Sequence, residues 1–244
     1  MKFMYYLAAI GNPKLDVKLD ILINNLNKIY NDININYDII INCYNENDTE
    51  IIDKIKTLPF IDNIFSYVKK GGVLVNLFKN NIYNNKIDNY DYILFILDDV
   101  KIQNINIKDM VRIKENHKID ILSLKIKNLG DADDNKWNTK SENDITINNF
   151  LEIFAILLNP VNMKKFFSIY DVDYPWMWGS DYLFGYYNIK AGIINKYIAI
   201  HSLDRHMDGC TGMSCMQNYL NKYNIDLKEI IKKYKPIQEI LVYK

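Results

Sequence analysis

Residues Asn89 to Lys101 read Asn-Tyr-Asp-Tyr-Ile-Leu-Phe-Ile-Leu-Asp-Asp-Val-Lys, and no other stretch limits the fold as much. From Tyr92 to Leu97 the run of apolar and aromatic residues is unbroken. A short run of this kind, rich in β-formers, predicts a strand buried on both faces, as in a covered parallel sheet. The run then delivers two adjacent carboxylates, Asp98 and Asp99. Ligands of open α/β sheets bind outside the carboxyl ends of the strands. Hard carboxylate oxygens at that place suit Mg²⁺ or Mn²⁺ bridging to a substrate's phosphates. Aspartate is equally a common turn residue, and the string itself leaves site and plain turn both open.

The flanking pattern supplies the sheet that such a strand needs. Phe3 to Ile10 predicts a first strand, ended by Gly11-Asn12-Pro13. A helix is expected from Asp16, as N-cap, to about Tyr30, with Val17, Leu19, Ile21, Leu22, Leu26 and Ile29 near helical spacing. Strands follow at Tyr37 to Cys43 and Ile64 to Val68, with a short helix from Asp48 through Ile55 between them, and a helical segment from Val73 to about Asn80. Beyond the organising strand we expect a helix over Ile105 to Asn116 and strands over Ile119 to Ile126 and Phe150 to Leu158. Helices are expected at Val161 to Tyr170 and Asp181 to Ile189, a last strand at Gly192 to His201, and helices at about Met213 to Tyr223 and Asp226 to Tyr234. The polar run from Asn128 to Asn143 reads as a long functional or mobile loop. Strand–helix alternation in the first half implies a parallel sheet with right-handed crossovers. No internal repeat or linker interrupts the chain, so one domain is expected.

Bulk properties narrow the partners. The 244 residues suffice for one large α/β domain. Formal net charge is +0, so no global basic field exists to hold nucleic acid or an anionic membrane, and phosphate binding must be local. Asn, Ile and Lys are enriched along the whole chain, which reads as an AT-rich coding bias. Cys43, Cys210 and Cys215 form no CxxC pair and no disulfide framework, in keeping with a reducing compartment. The apolar N-terminal run is too short for a membrane span and reads as the first strand; no transmembrane segment is expected.

Three further constellations carry possible chemistry. Tyr174-Pro175-Trp176-Met177-Trp178-Gly179-Ser180-Asp181 holds two of the three tryptophans, whose faces suit a sugar or a base. Gly179 permits an unusual turn, and Ser180 or Asp181 can cap the following helix; an aromatic core cluster with an N-cap explains the same residues. His201 ends the last predicted strand, where imidazole suits Mn²⁺, although a hydrogen-bonded surface histidine is the commoner case. Lys69-Lys70-Gly71-Gly72 precedes a helix and can bring backbone N–H groups to a phosphate. It is not a Walker loop, and the chain contains no GxGxxG, HExxH or GxSxG, which removes P-loop, Rossmann dehydrogenase, zinc peptidase and α/β-hydrolase readings.

In order and spacing, Gly71-Gly72, Leu97-Asp98-Asp99-Val100, Trp178-Gly179-Ser180-Asp181 and Ile200-His201 resemble a nucleotide-sugar-dependent glycosyltransferase of the GT-A fold. The resemblance covers most of the chain to about residue 208. It implies an α/β fold with a mostly parallel central sheet flanked by helices. A Rossmann-like nucleotide-sugar-binding half (1–101) precedes a mixed acceptor and catalytic half (102–212) and C-terminal helices (213–244). The implied activity is transfer of a sugar from a UDP- or GDP-sugar, UDP foremost, to a hydroxyl of a glycan or protein, with Mn²⁺ or Mg²⁺. Asp98 is assigned to the ribose, Asp99 and His201 to the metal, and Asp181 to the catalytic base of an inverting reaction. Gly11, Tyr44, Lys70 and Gly72 are assigned to the nucleotide, and Trp176, Trp178 and Ser180 to the sugars. With its cysteines read as reduced, the chain is expected in the cytoplasm, the host cytoplasm if the protein is viral. Val100 stands where a full Asp-x-Asp would place an acid, which keeps open a non-catalytic carbohydrate-binding module on a decayed fold. A nucleotidyltransferase that forms sugar nucleotides is the other alternative.

Overall fold

The computed structural model describes residues 1–11, 14–43, 49–68, 86–128, 144–148, 151–168, 183–184, 187–201, 209–226, 228–229 and 238–240. The first half forms β1 (Phe3–Ile10), α1 (Leu15–Ile33), β2 (Tyr37–Cys43), α2 (Thr49–Lys56), β3 (Ile61–Val68) and β4 (Tyr92–Ile96). It continues with β5 (Val100–Ile102), α3 (Ile107–Asn116), β6 (Ile121–Asn128), β7 (Ile145–Asn148), β8 (Ala155–Leu158) and α4 (Pro160–Ser168). The last elements are β9 (Ala191–His201), α5 (Gly209–Lys222) and β10 (Gln238–Ile240). Among the described residues these strands build one ten-stranded sheet in the order β10-β7-β9-β6-β8-β4-β1-β2-β3, with β5 beside β9.

Strands β1 and β4 are apolar without interruption because both of their faces are covered, whereas β2 carries the buried Asp38 and Asn42. Phe3, Tyr5 and Leu7 of β1 pack on one face with Leu19, Leu22, Leu26 and Ile29 of α1 and Met110 and Ile113 of α3. Met4, Tyr6 and Ala8 point the other way, into a second core with Met163 and Phe166 of α4 and Tyr219 and Leu220 of α5. The division follows from the two-residue period of a strand, which sends successive side chains to opposite faces. Pairing is parallel across β4-β1-β2-β3. Beyond β4 it is mixed: β4–β8, β6–β8, β7–β9 and β10–β7 are antiparallel, and β6–β9 is parallel.

Several boundaries differ from the sequence reading, each for a local reason. Asp16 is not the N-cap of α1; Lys14 caps it from a left-handed conformation without a side-chain bond, and Asp16 lies in the first turn. Asn106 caps α3, its side chain accepting from Asp109 N at 2.8 Å. The apolar run from Phe150 is not all strand: residues 153–154 turn, and only Ala155–Leu158 is extended. Residues 187–190 are turn and coil, so the helix expected through Ile189 does not reach that far. β5, β7 and β10 were not anticipated, and β10 lies where only helices were expected. The segment expected to be helical from Val73 to Asn80 and the loop from residue 129 to Asn143 lie outside the described residues. No helix among the described residues is long and apolar enough to cross a membrane.

Strand β9 changes partner along its length. Ala191 to Ile194 pair with β7, and Ala199 to His201 pair with β5. Against β6 its register jumps from Leu124↔Ile194 to Lys125↔Ile198, leaving Asn195, Lys196 and Tyr197 as a bulge. Bulges bend a strand and increase its twist. The bulge is pinned to α3, where Tyr197 Oη donates to Asp109 Oδ2 at 2.8 Å and Lys196 Nζ lies 2.6 Å from the same oxygen.

This bend is a geometric necessity. Only Leu97, Asp98 and Asp99 separate β4 from β5, so the link spans at most roughly 14 Å. In a flat sheet the path β4-β8-β6-β9-β5 would measure roughly 19 Å. The sheet therefore curls, and the end of β9 folds back over the end of β4.

Candidate nucleotide and cation site

The strand order reverses at β1. The chain proceeds outward through β2 and β3, then returns to place β4 on the other side of β1. Crevices outside the carboxyl ends of strands at such a reversal are the usual ligand sites of α/β sheets. The register Leu7↔Ile96 brings the ends of β1 and β4 together there, with Gly11 following one strand and Asp98-Asp99 the other.

Asp98 and Asp99 are the two central residues of a β-turn closed by Val100 N donating to Leu97 O at 3.4 Å. Turn and site, open alternatives in the sequence, thus describe one object. The turn sends its two carboxylates to different neighbours. Asp98 Oδ2 lies 2.7 Å from Lys18 Nζ, which also donates to the Gly11 carbonyl at 3.0 Å. Asp99 Oδ2 lies 2.7 Å from His201 Nε2. The β5–β9 register, Val100↔His201, explains this second contact, since it sets the end of β9 directly beside the turn. Phe154, in the turn before β8, stacks on the imidazole with ring centroids 4.9 Å apart, and its carbonyl accepts from Leu97 N at 3.0 Å.

Burial dominates the electrostatics of Asp98. Desolvation pushes its pKa up to about 6, against the opposing pull of the Lys18 ammonium, and the neighbouring charge of Asp99 adds to the rise.

Val100 is fully buried and belongs to the core shared with α1 and α3. A carboxylate at this position would lie in apolar packing and not at the mouth of the crevice. An apolar residue at this position is therefore a packing requirement of β5.

Helix α1 holds this apparatus from one side. Asn25, fully buried, donates from Nδ2 to Val100 O at 2.8 Å and accepts from Ile102 N at 2.8 Å. Its amide thus acts as a strand partner for β5. Lys28 Nζ donates to Gln103 O at 2.7 Å, and Asp32 Oδ2 accepts from Ile107 N at 2.6 Å. Sequence reading missed Lys18, Asn25 and Phe154. The signal for the first two was present: both interrupt the apolar stripe of α1, among Leu15, Leu19, Leu22, Leu26 and Ile29.

Of the residues assigned from sequence, the structure brings together Gly11, Asp98, Asp99 and His201. Tyr44, Lys70, Gly72, Trp176, Trp178, Ser180 and Asp181 lie outside the described residues. A carboxylate and an imidazole in contact form a donor set that fits Mn²⁺ or Mg²⁺. Among the described residues no cluster of three or more such groups occurs.

No family model matches the chain, and no curated protein sequence does. Solved structures do. TarS 1-349 of S. aureus superposes with a TM-score of 0.57 at 13% identity, over 91% of this chain and 72% of that one. GalNAc-T7, solved with UDP, GalNAc and Mn²⁺, superposes with a TM-score of 0.63 at 9% identity, over 91% of this chain and 48% of that one. Both have the GT-A fold. This chain has the GT-A fold too. TarS 1-349 has also been solved in complex with UDP-GlcNAc, and this chain matches 95% of its own length to 69% of that structure at a TM-score of 0.56. The chain spans less than half of the longer TarS structure, 43%, and of GalNAc-T7, 48%. The GT-A architecture accounts for the parallel β4-β1-β2-β3 half and for the mixed half that carries His201 to the turn.

Proposed function

We propose that the chain is a metal-dependent glycosyltransferase that moves a sugar from a nucleotide sugar, a UDP-sugar foremost, to a hydroxyl of a glycan or protein acceptor. The observation that carries this reading is the Asp98-Asp99 turn at the strand-order reversal of a GT-A fold, with His201 brought against Asp99. The solved neighbours with this fold, seen with UDP, UDP-GlcNAc or UDP with Mn²⁺, support the nucleotide and the metal.

Asp98, held by Lys18, accepts from the ribose hydroxyls, and Asp99 and His201 hold the cation. When bound, Mn²⁺ or Mg²⁺ neutralises the diphosphate as it departs. Gly11 lines the nucleotide crevice at the end of β1, joined in this reading by Tyr44, Lys70 and Gly72. Asp181 takes the acceptor's proton as its oxygen attacks the anomeric carbon, giving inversion. Trp176, Trp178 and Ser180 are assigned in this reading to the sugars, for which aromatic faces are suited. The enzyme acts in the cytoplasm.

Calorimetric titration of UDP with and without Mn²⁺, on wild type and Asp99→Ala, tests this. Wild type is expected to bind UDP more tightly with Mn²⁺, and Asp99→Ala to lose that gain. Wild type that binds UDP under neither condition overturns the proposal.

A further inference from the structure

Lys18 is only 4% exposed, on a helix face otherwise given to the core. Stability does not account for it. A buried ion pair is often no better than a well-packed apolar pair of similar volume, and a leucine or methionine at this position would continue the stripe of Leu15, Leu19 and Leu22. What Lys18 does is specific to the crevice. Its single ammonium joins the carbonyl that follows β1 to the first carboxylate that follows β4, across the strand-order reversal. It occupies one oxygen of Asp98, while the carboxylate of Asp99 turns to His201. The two adjacent acids are thus given separate partners from opposite sides, one from α1 and one from β9.

We propose that Lys18 is a positioning residue that holds the Asp98 carboxylate on the nucleotide side of the turn, apart from the cation held by Asp99 and His201, where it accepts from a ribose hydroxyl. This rests on reading the crevice as a nucleotide-sugar site. Lys18 then acts through Asp98 on recognition of the ribose and contributes nothing to the base or the diphosphate. A donor that lacks ribose hydroxyls cannot benefit from it.

The test is the ratio of the dissociation constants of 2′,3′-dideoxyuridine diphosphate and UDP, both measured by calorimetry with Mn²⁺. In wild type the ratio is expected to be on the order of ten or more, the value of a hydrogen bond to a charged group. In Lys18→Met it falls toward one, through weaker UDP binding alone, and Asp98→Asn gives the same collapse. With a donor sugar, Lys18→Met raises KM and leaves kcat little changed, as expected when uniform binding is lost. Circular dichroism checks each variant for folding; should Lys18→Met fail, Lys18→Gln, which keeps a donor for Gly11 but no charge, replaces it. An undiminished ratio in a folded Lys18 variant overturns the inference while the nucleotide site stands. Wild type that binds neither diphosphate overturns the site reading itself.

Discussion

Replacing Asn25 by leucine tests the idea that α1 serves as the missing strand beside β5. Leucine keeps the buried volume apolar and gives water little to bind. It removes the donor to Val100 O and the acceptor for Ile102 N, each at 2.8 Å. A buried backbone group left without a partner costs about 1–3 kcal/mol. Two such groups, offset by about 1 kcal/mol from the added apolar contact, give an expected loss of about 1–5 kcal/mol. Domains have roughly 5–15 kcal/mol in total, so the loss is a large share. Urea unfolding followed by circular dichroism measures it as a lower midpoint at unchanged slope. Amide exchange supplies the local reading: the Ile102 amide loses protection beyond the global change. A loss under about 0.5 kcal/mol, the range of neutral surface substitutions, with unaltered exchange at Ile102, would refute the reasoning.

Val100→Asp supplies the acid that a full Asp-x-Asp would have, yet it is expected to destabilise the chain by more than about 3 kcal/mol, because the new carboxylate enters the core; urea unfolding checks this, and a stable variant with tighter Mn²⁺ binding contradicts it. The Asp98 pKa of about 6 lies above its ordinary 3.8, so the folded chain binds more protons between those values. Asp98 therefore makes stability fall by about 3 kcal/mol as pH rises through that window, and unfolding at pH 4 and pH 7 should show this component in wild type but not in Asp98→Asn. UDP affinity runs the other way, falling as pH drops below about 6 and the carboxylate is protonated; calorimetry from pH 5 to 8 measures it, and a flat profile counts against Asp98 as the ribose acceptor.

The legible parts of the chain are those whose signal is local. β1 and β2 begin and end at the residues expected from sequence, because Phe3 to Ile10 is an apolar run and Tyr37 to Cys43 is apolar but for Asp38 and Asn42, each long enough to be covered on both faces. Asp98, Asp99 and His201 could be picked out because each follows or ends a readable strand. β5 could not, since Val100-Lys101-Ile102 is too short to show a period and is extended only through its pairing with β9 and Asn25. β7 hides for a related reason: Ile145-Thr146-Ile147-Asn148 sits after a long polar run, and its partners lie in β9 and β10. Phe150 to Leu158 misled because hydrophobicity does not distinguish a strand from a buried turn that leads into one. Lys18 and Asn25 stand out in the sequence as breaks in the apolar stripe of α1, but their place in the site is set by tertiary contacts. A polar residue on an apolar stripe has meaning only once its partner is known, and here the partners lie about 75–80 positions away.

The three-residue bulge of β9 also ties the crevice to the order in which the chain is made. Asp99 and His201 are 102 positions apart, and they meet only because Asn195 to Tyr197 bend β9 back over the turn. The parallel half can pair β1, β2, β3 and β4 from the first hundred residues alone. The cation pair cannot exist until β9 has emerged, docked beside β6 and handed its end to β5. Contacts of such long separation carry a high loop-closure cost and form late. The pair thus marks completed folding: a chain interrupted before residue 201 holds both aspartates but lacks the His201 imidazole that is set against Asp99.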